Sequence, residues 1–361
     1  MIHDFFLTHT YLIGLVSFTL GLLGMPVIVR IAKAKGFVVR PNKRTSHTGD
    51  IPNIGGLNIC FSFMLTYMLF EFDQMSQSQF FLIGLFAIMA VGFIDDVLVL
   101  TPTAKLLGET LAGIALIGFA NLRITHLHGI FGIEQIGIIP SYLFSFFVLI
   151  AIINAVNLID GIDGLASGLG ILYCLFFAFY FGLAGDTSWS ILGICMVGAL
   201  AVFFIYNVFG HREKIFMGDS GSLLLGYLLT AFVFHFCEVN AYHQVPENLH
   251  MNAAPAVAIC VLTIPIFDTI RVSLTRIKQH RSPFQPDKNH IHHLLLKIGL
   301  SHIQTTCVLL SASILFIGLA ILGRNWNFWL LLIANFALAT CLTLILWRII
   351  NKKLYGTNAE H

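Results

Sequence analysis

Charge is what this sequence has least of. Among 361 residues there are twenty Lys and Arg and eighteen Asp and Glu, 11% in all, where an average soluble chain carries roughly 25%. Hydrophobic residues make up 57%, and 33 residues are Phe. A water-soluble globule has too little interior to hide that much apolar surface, so an arrangement of soluble domains is excluded. The seven cysteines (Cys60, Cys174, Cys195, Cys237, Cys260, Cys307, Cys341) stand singly in mostly apolar runs. Without any CxxC spacing they support neither a disulfide scaffold nor a thiolate metal site. Neither a basic leader nor a small-residue cleavage site precedes the first apolar run near Thr10, which therefore reads as a retained helix. No repeat or low-complexity tract stands out; a net charge of +2 says nothing about nucleic acid, which is not expected as a partner. What is left is an all-α polytopic integral membrane protein.

A bilayer core takes about 20 apolar residues per helix. Spans are expected near 10–31, 53–71, 79–95, 103–121, 140–159, 165–184, 189–209, 221–238, 253–273, 303–323 and 326–348, which makes eleven transmembrane helices. Connections are then short, and 1–361 is expected to be a single transmembrane catalytic domain. With the N-terminus outside, every Lys and Arg except Arg123 and Arg324 falls on the cytoplasmic side, as the positive-inside rule requires. The C-terminus is then cytoplasmic. The cytoplasmic loops are expected at about 32–52, 95–103, 159–165, 210–220 and 274–302. His126, His128 and His250 fall outside and are expected to be solvated.

Most of the acids of interest gather on that same face. Asp95, Asp96, Asp160, Asp163, Asp219, Asp268 and Asp287 lie at or near the ends of apolar runs, in GFIDDVLVL, NAVNLIDGIDGLASG, KIFMGDSGSLLLGY, PIFDTIRVSLTR and SPFQPDKNHIHHLLLK. Carboxylates at a hydrocarbon boundary are costly to keep and point to function. Beside Lys, Arg and His they suit a divalent cation, Mg²⁺ or Mn²⁺, together with a polyphosphate. Asn154, Asn157, Asp160 and Asp163 recur every three residues, a polar stripe if the segment is helical, with Gly161 and Gly164 loosening its end. Asp219 stands just before a helix, where capping and metal ligation are compatible. His290, His292 and His293 lack a nearby Cys and read better as hydrogen-bond donors to a pyrophosphate or sugar than as zinc ligands.

In order along the chain, RTSHTGDIPNIGG, Asp95-Asp96, NAVNLIDGIDG, FMGDSGS, PIFDT and SPFQPDKNHIHHLL resemble the polyprenyl-phosphate N-acetylhexosamine-1-phosphate transferases, the MraY/WecA/TagO superfamily (glycosyltransferase family 4). The resemblance covers nearly the whole chain. The HIHH segment is similar to the WecA/TagO branch, whereas the MraY branch shows three histidines in a row followed by an acid. The phospho-MurNAc-pentapeptide reaction is therefore the alternative within the family.

The resemblance implies transfer of a sugar 1-phosphate from a UDP-N-acetylhexosamine, most commonly UDP-GlcNAc, to undecaprenyl phosphate. The products are UMP and a lipid-linked pyrophosphoryl sugar, the first membrane step of a cell-surface glycan pathway. It further implies a bacterial inner-membrane location, a cytoplasmic-face active site, Mg²⁺ with Mn²⁺ as substitute, and a homodimer. By motif, Asp219 and Asn157 would hold the metal, Lys105 a phosphate, and Asp95 and Asp96 the lipid phosphate. Asp160 and Asp163 would place the metal and the uridine end, with Asn154 on the same substrate-facing stripe. Arg276, His290, His292 and His293 would close over the donor, while Arg44 and His47 would add to the lipid-phosphate site. A secondary transporter is the rival class, but it calls for acids near mid-membrane and inverted repeats, and neither is apparent. A CDP-alcohol phosphatidyltransferase fails at Ala166-Ser167, where that motif needs Ala-Arg.

Overall fold

The computed structural model describes residues 2–39, 50–71, 75–210, 213–281 and 289–355. Arg44 and His47 lie outside the described residues. The chain divides into two compact units, Met1–His250 and Met251–His361.

The first unit runs α1 (Ile2–Lys35), a two-residue ribbon of β1 (Val38–Val39) with β2 (Ile51–Pro52), α2 (Gly55–Phe70), α3 (Met75–Leu98) and α4 (Pro102–Gly113). A π-helical turn (Ile114–Phe119) follows, then a hairpin of β3 (His126–Ile130) with β4 (Ile133–Gln135). The unit closes with α5 (Ile138–Ile159), α6 (Leu165–Ala184), α7 (Thr187–Phe209) and α8 (Gly218–Ala241). Its centre is α8, buried almost around its whole circumference and packed against α2, α3, α5 and α6. Enclosure by protein lets this helix carry Ser222, Thr230 and Asn240, each of them hydrogen-bonded. Around it α1 packs on α2 and α7, and α6 on α7. Polar side chains inside this packing close onto backbone carbonyls, as Ser17 does on Cys195 at 2.6 Å and Asn58 on Gly21 at 3.0 Å. Such pairing is what buried donors demand.

In the second unit α9 (Ala254–Val261), α10 (Thr263–Lys278), α11 (Ile291–Lys297), α12 (His302–Leu322) and α13 (Phe328–Tyr355) follow. The single span expected at 253–273 is instead broken, with α9 and α10 meeting at 81°. Pro265 supplies the reason, since it has no N–H to continue the α9 ladder and its ring obstructs the preceding turn. Thr263 partly compensates by donating its hydroxyl to the carbonyls of Cys260 and Ile259 at 2.9 and 3.1 Å.

Among the described residues eight helices are long and apolar enough to cross a bilayer, or nine with the bent pair as one span. The chain is thus a multi-pass α-helical membrane protein. The other two segments expected to span are shorter: α2 has 16 residues, and the 103–121 segment changes from α4 to the π turn at Ile114. At 1.5 Å per residue, α2 reaches only about 24 Å of a core roughly 30 Å thick.

His128 of the hairpin and His250, beyond α8, are not simply solvated. His128 bonds the Cys237 carbonyl at 3.1 Å, and His250 bonds that of Asn240 at 3.0 Å while stacking on His243. Burial and the neighbouring His126 push His128 down to about 4, so it is neutral at ordinary pH.

Candidate active site

The expected stripe on one helix is realised only in its first half. Asn154 and Asn157 lie three apart on α5, which ends at Ile159. Asp160 and Asp163 sit in the turn that follows. Asp163 is held there by Lys214 at 2.7 Å.

At the same pole of the first unit, the end of α3 meets the start of α4 and of α8. Lys105, in the first turn of α4, reaches Asp95 at 3.2 Å and Asp219 at 3.1 Å, and donates to Asn157 Oδ1 at 3.5 Å. Thr101 fixes that first turn, its hydroxyl accepting from the Ala104 N–H with Pro102 at the opening position, a standard helix start. Asn157 turns its Nδ2 toward Asp219 Oδ1 at 2.5 Å and Ser222 Oγ at 2.8 Å, which leaves its Oδ1 on the Lys105 side. Asp95 also accepts the Leu100 N–H at 2.6 Å, tying the end of α3 to the α4 approach.

The adjacent aspartates therefore have different occupations. Asp96 turns away from Lys105 and accepts the backbone N–H groups of Asp219 at 2.7 Å and Ser220 at 3.0 Å, along with the Asn53 amide at 3.0 Å. It caps α8 from another helix, satisfying donors that every helix start leaves open. Gly218 permits the approach: it lies at φ +73, and a Cβ there would stand 2.4 Å from the Asn53 carbonyl and 2.5 Å from Asp96. Since the cap comes from Asp96, Asp219 in the first turn is left to face Lys105 and Asn157.

Asp160, beyond the end of α5, is pushed up to about 7 by burial and by the charges of Asp219, Asp96 and Asp163. A carboxyl raised from 3.8 binds its proton more tightly folded than unfolded, so it costs stability as pH climbs from about 4 to about 7 and by a constant amount above. Asp160→Asn removes that cost. In metal-free buffer we expect equal unfolding free energies for variant and wild type near pH 4, with the variant more stable by on the order of 2–4 kcal/mol at pH 8. A gap that stays flat across this range would contradict the assignment.

The second unit holds its own polar cluster. Asp268 of α10 is buried and accepts from Arg271 at 2.7 Å, His290 Nδ1 at 2.9 Å and the Ile291 N–H at 3.1 Å. Arg271 also donates to the Asn289 carbonyl. These bonds anchor the start of α11, where the rings of His290 and His292 lie nearly parallel 5.8 Å apart and His293 is 4.2 Å from His292. Burial, then His293, drives His292 down to about 3. It offers neutral hydrogen-bonding nitrogens, not a positive charge, to any phosphate. Arg276 is buried in the last turn of α10.

Sequence reasoning passed over Asn53, Ser222, Lys214, Arg271 and Glu109. Glu109 alone carried a legible signal, as a carboxylate inside an apolar stretch four residues after Lys105.

Asp95, Asp219 and the Asn157 amide direct three oxygens at one positive centre, now the Lys105 ammonium. An all-oxygen, doubly anionic set of this kind suits a hard divalent cation sharing the site with an anionic ligand.

The profile of glycosyl transferase family 4 matches residues 78–236, a stretch that runs from α3 to α8. Over most of its length the chain is similar to curated proteins named undecaprenyl-phosphate alpha-N-acetylglucosaminyl 1-phosphate transferase. Identity is 30% with that of Haemophilus influenzae, covering 90% of each chain. With that of Yersinia pestis it is 30%, over 86% of this chain and 84% of the relative. With that of Pasteurella multocida it is 31%, over 83% of each.

Proposed function

The chain belongs to glycosyl transferase family 4, and from that premise we propose that it transfers GlcNAc 1-phosphate from UDP-GlcNAc to undecaprenyl phosphate, releasing UMP. The observation that carries the reading is the convergence of Asp95, Asp219 and Asn157 on Lys105 at one pole of a membrane-embedded bundle. Donor pyrophosphate and lipid phosphate repel each other, so joining them requires positive charge placed beforehand.

An oxygen of the lipid phosphate attacks the donor's β-phosphorus, and the bond from that phosphorus to the oxygen bridging it to UMP breaks. The result is a new pyrophosphate on the lipid. Lys105 neutralises phosphate oxygens during this exchange, and Asp95 holds Lys105. Both oxygens of Asp96 are engaged by backbone and amide N–H groups, which favours a positioning role for Asp96 over that of nucleophile. A phosphate monoester with a second pKa near ~6 needs little help from a base at neutral pH. Mg²⁺, for which Mn²⁺ would substitute, would be held by Asp219 and the Asn157 side-chain oxygen, with Asp160 nearby. When bound it supplies Lewis-acid stabilisation of the charge on the phosphoryl oxygens.

We place eleven spans in a bacterial inner membrane, with α2 and the α4–π segment as the two short ones and the site on the cytoplasmic side. The distribution of Lys and Arg supports that orientation. Purified protein given undecaprenyl phosphate, Mg²⁺ and a panel of UDP-sugars should release UMP in step with lipid product, fastest with UDP-GlcNAc. Release of UMP without the lipid acceptor, or no product from any N-acetylhexosamine donor, would sink the reading.

A further inference from the structure

Glu109 belongs to no recognised motif and is a lone carboxylate in an apolar stretch. It is 1% exposed, one turn beyond Lys105 on α4. Its Oε2 accepts from Asn154 Nδ2 at 2.9 Å, while the same amide nitrogen donates to the Ile150 carbonyl at 2.9 Å. No Lys, Arg or His forms a salt bridge with it among the described residues, although Lys105 and Asp219 lie within electrostatic range. A carboxylate enclosed in an apolar bundle with one amide for a partner is costly, and such groups persist where function uses them.

Two helices here present matched polar rungs. On α4, Lys105 and Glu109 are four residues apart; on α5, Asn157 and Asn154 are three apart, so each pair shares a face. Lys105 meets Asn157 at the site, and Glu109 meets Asn154 one turn deeper. The deeper rung fixes the register of α4 against α5, and with it the reach of the Lys105 ammonium. Both bonds of Asn154 use Nδ2, so the acceptor pair Glu109 and Ile150 also fixes which way the amide faces.

We propose that Glu109 is a positioning residue for the phosphoryl transfer: through its hydrogen bond to Asn154 it holds Lys105 between Asp95 and Asp219. The role rests on the reaction proposed above, but the juxtaposition can be tested without it. Glu109→Gln, whose amide oxygen accepts the same bond, keeps the register. Glu109→Leu loses it.

The test uses full-length protein in nanodiscs with two readouts. The first is the rate at which Lys105 is acetylated by acetic anhydride, followed by mass spectrometry of the folded protein without substrates. We expect about tenfold faster labelling in Glu109→Leu, a change typical of a lost pairwise coupling, and wild-type labelling in Glu109→Gln. The second is kcat/KM for UDP-GlcNAc, expected about 30-fold lower in Glu109→Leu and within about threefold of wild type in Glu109→Gln. Added to Lys105→Ala, Glu109→Leu should cost nothing further, because its effect passes through the missing ammonium. Should Glu109→Leu fail to fold, Asn154→Asp decides. It sets two carboxylates against each other, and combining it with Glu109→Gln lets the glutamine amide donate and restores both readouts. Unchanged Lys105 labelling in Glu109→Leu, equal damage from Gln and Leu, or additivity with Lys105→Ala would overturn the proposal. A wild type that turns over no UDP-sugar overturns the functional reading alone, and the labelling result then decides the role of Glu109.

Discussion

Asp219→Ala should lower the rate of UMP release at least about a thousandfold while leaving the protein folded. The size follows from what the carboxylate does at once: it pairs with Lys105 at 3.1 Å, orients the Asn157 amide, and is our chief candidate ligand for Mg²⁺. Losing a preorganised charge at a phosphoryl-transfer site typically costs hundreds-fold per interaction, and a lost metal ligand adds to that. Folding should survive because the start of α8 is capped by Asp96 and not by Asp219. The check is initial rate against Mg²⁺ concentration, alongside a melting curve. A rate within tenfold of wild type at saturating Mg²⁺ would remove Asp219 from the centre of the mechanism. Asp219→Asn separates charge from shape: it keeps an oxygen toward Asn157 but leaves Lys105 with one anionic partner, and should fall nearly as far.

That the folding and catalytic consequences of Asp219 separate was not visible in the sequence. Asp95 and Asp96 are neighbours in an apolar run, and composition alone treats them as one feature. Which of them faces Lys105 and which caps α8 depends on how α3 meets a helix whose Asp219 lies 123 positions beyond Asp96, and local pattern carries no information about that crossing. The membrane class was legible because charge is scarce, and the acidic candidates for the site stood out for the same reason: a carboxylate is conspicuous against hydrocarbon. The break between α9 and α10 was within reach, since Pro265 lies inside the expected span, yet the length of the apolar run outweighed it. Glu109 was passed over because it has no motif, although its cost in an apolar setting is the criterion that picked out the aspartates. The β3–β4 hairpin deceived in the other direction. Polar His128 read as solvated, whereas the hairpin folds back so that the ring bonds a carbonyl of α8.

Gly92→Ala should cost both turnover and stability, although it adds a single methyl group and removes no charge. Gly92 is on α3, one turn before Asp96, at the contact with α8. A Cβ there would stand 2.5 Å from the Asp219 carbonyl oxygen and 2.5 Å from both N and Cα of Ser220. All three are backbone atoms in the first turn of α8, so no rotamer change relieves the overlap. The helices have to separate by about an ångström to restore ordinary contact, and overpacking of this kind costs roughly 1–3 kcal/mol. The separation falls where the 2.7 and 3.0 Å bonds from Asp219 and Ser220 to Asp96 hold α8 in place. Stretching them would move Asp219 away from Lys105. Because misplacing a reacting geometry by about 1 Å can cost about a hundredfold, we expect turnover to fall by that order together with the melting temperature. Gly318→Ala is the control: it lies mid-helix in α12, and a Cβ there meets nothing within 4 Å. Helix propensity alone then makes it neutral or stabilising by up to about 1 kcal/mol. Equal behaviour of the two variants in a melting curve and in UMP release would show that the contact between α3 and α8 does not set the position of Asp219.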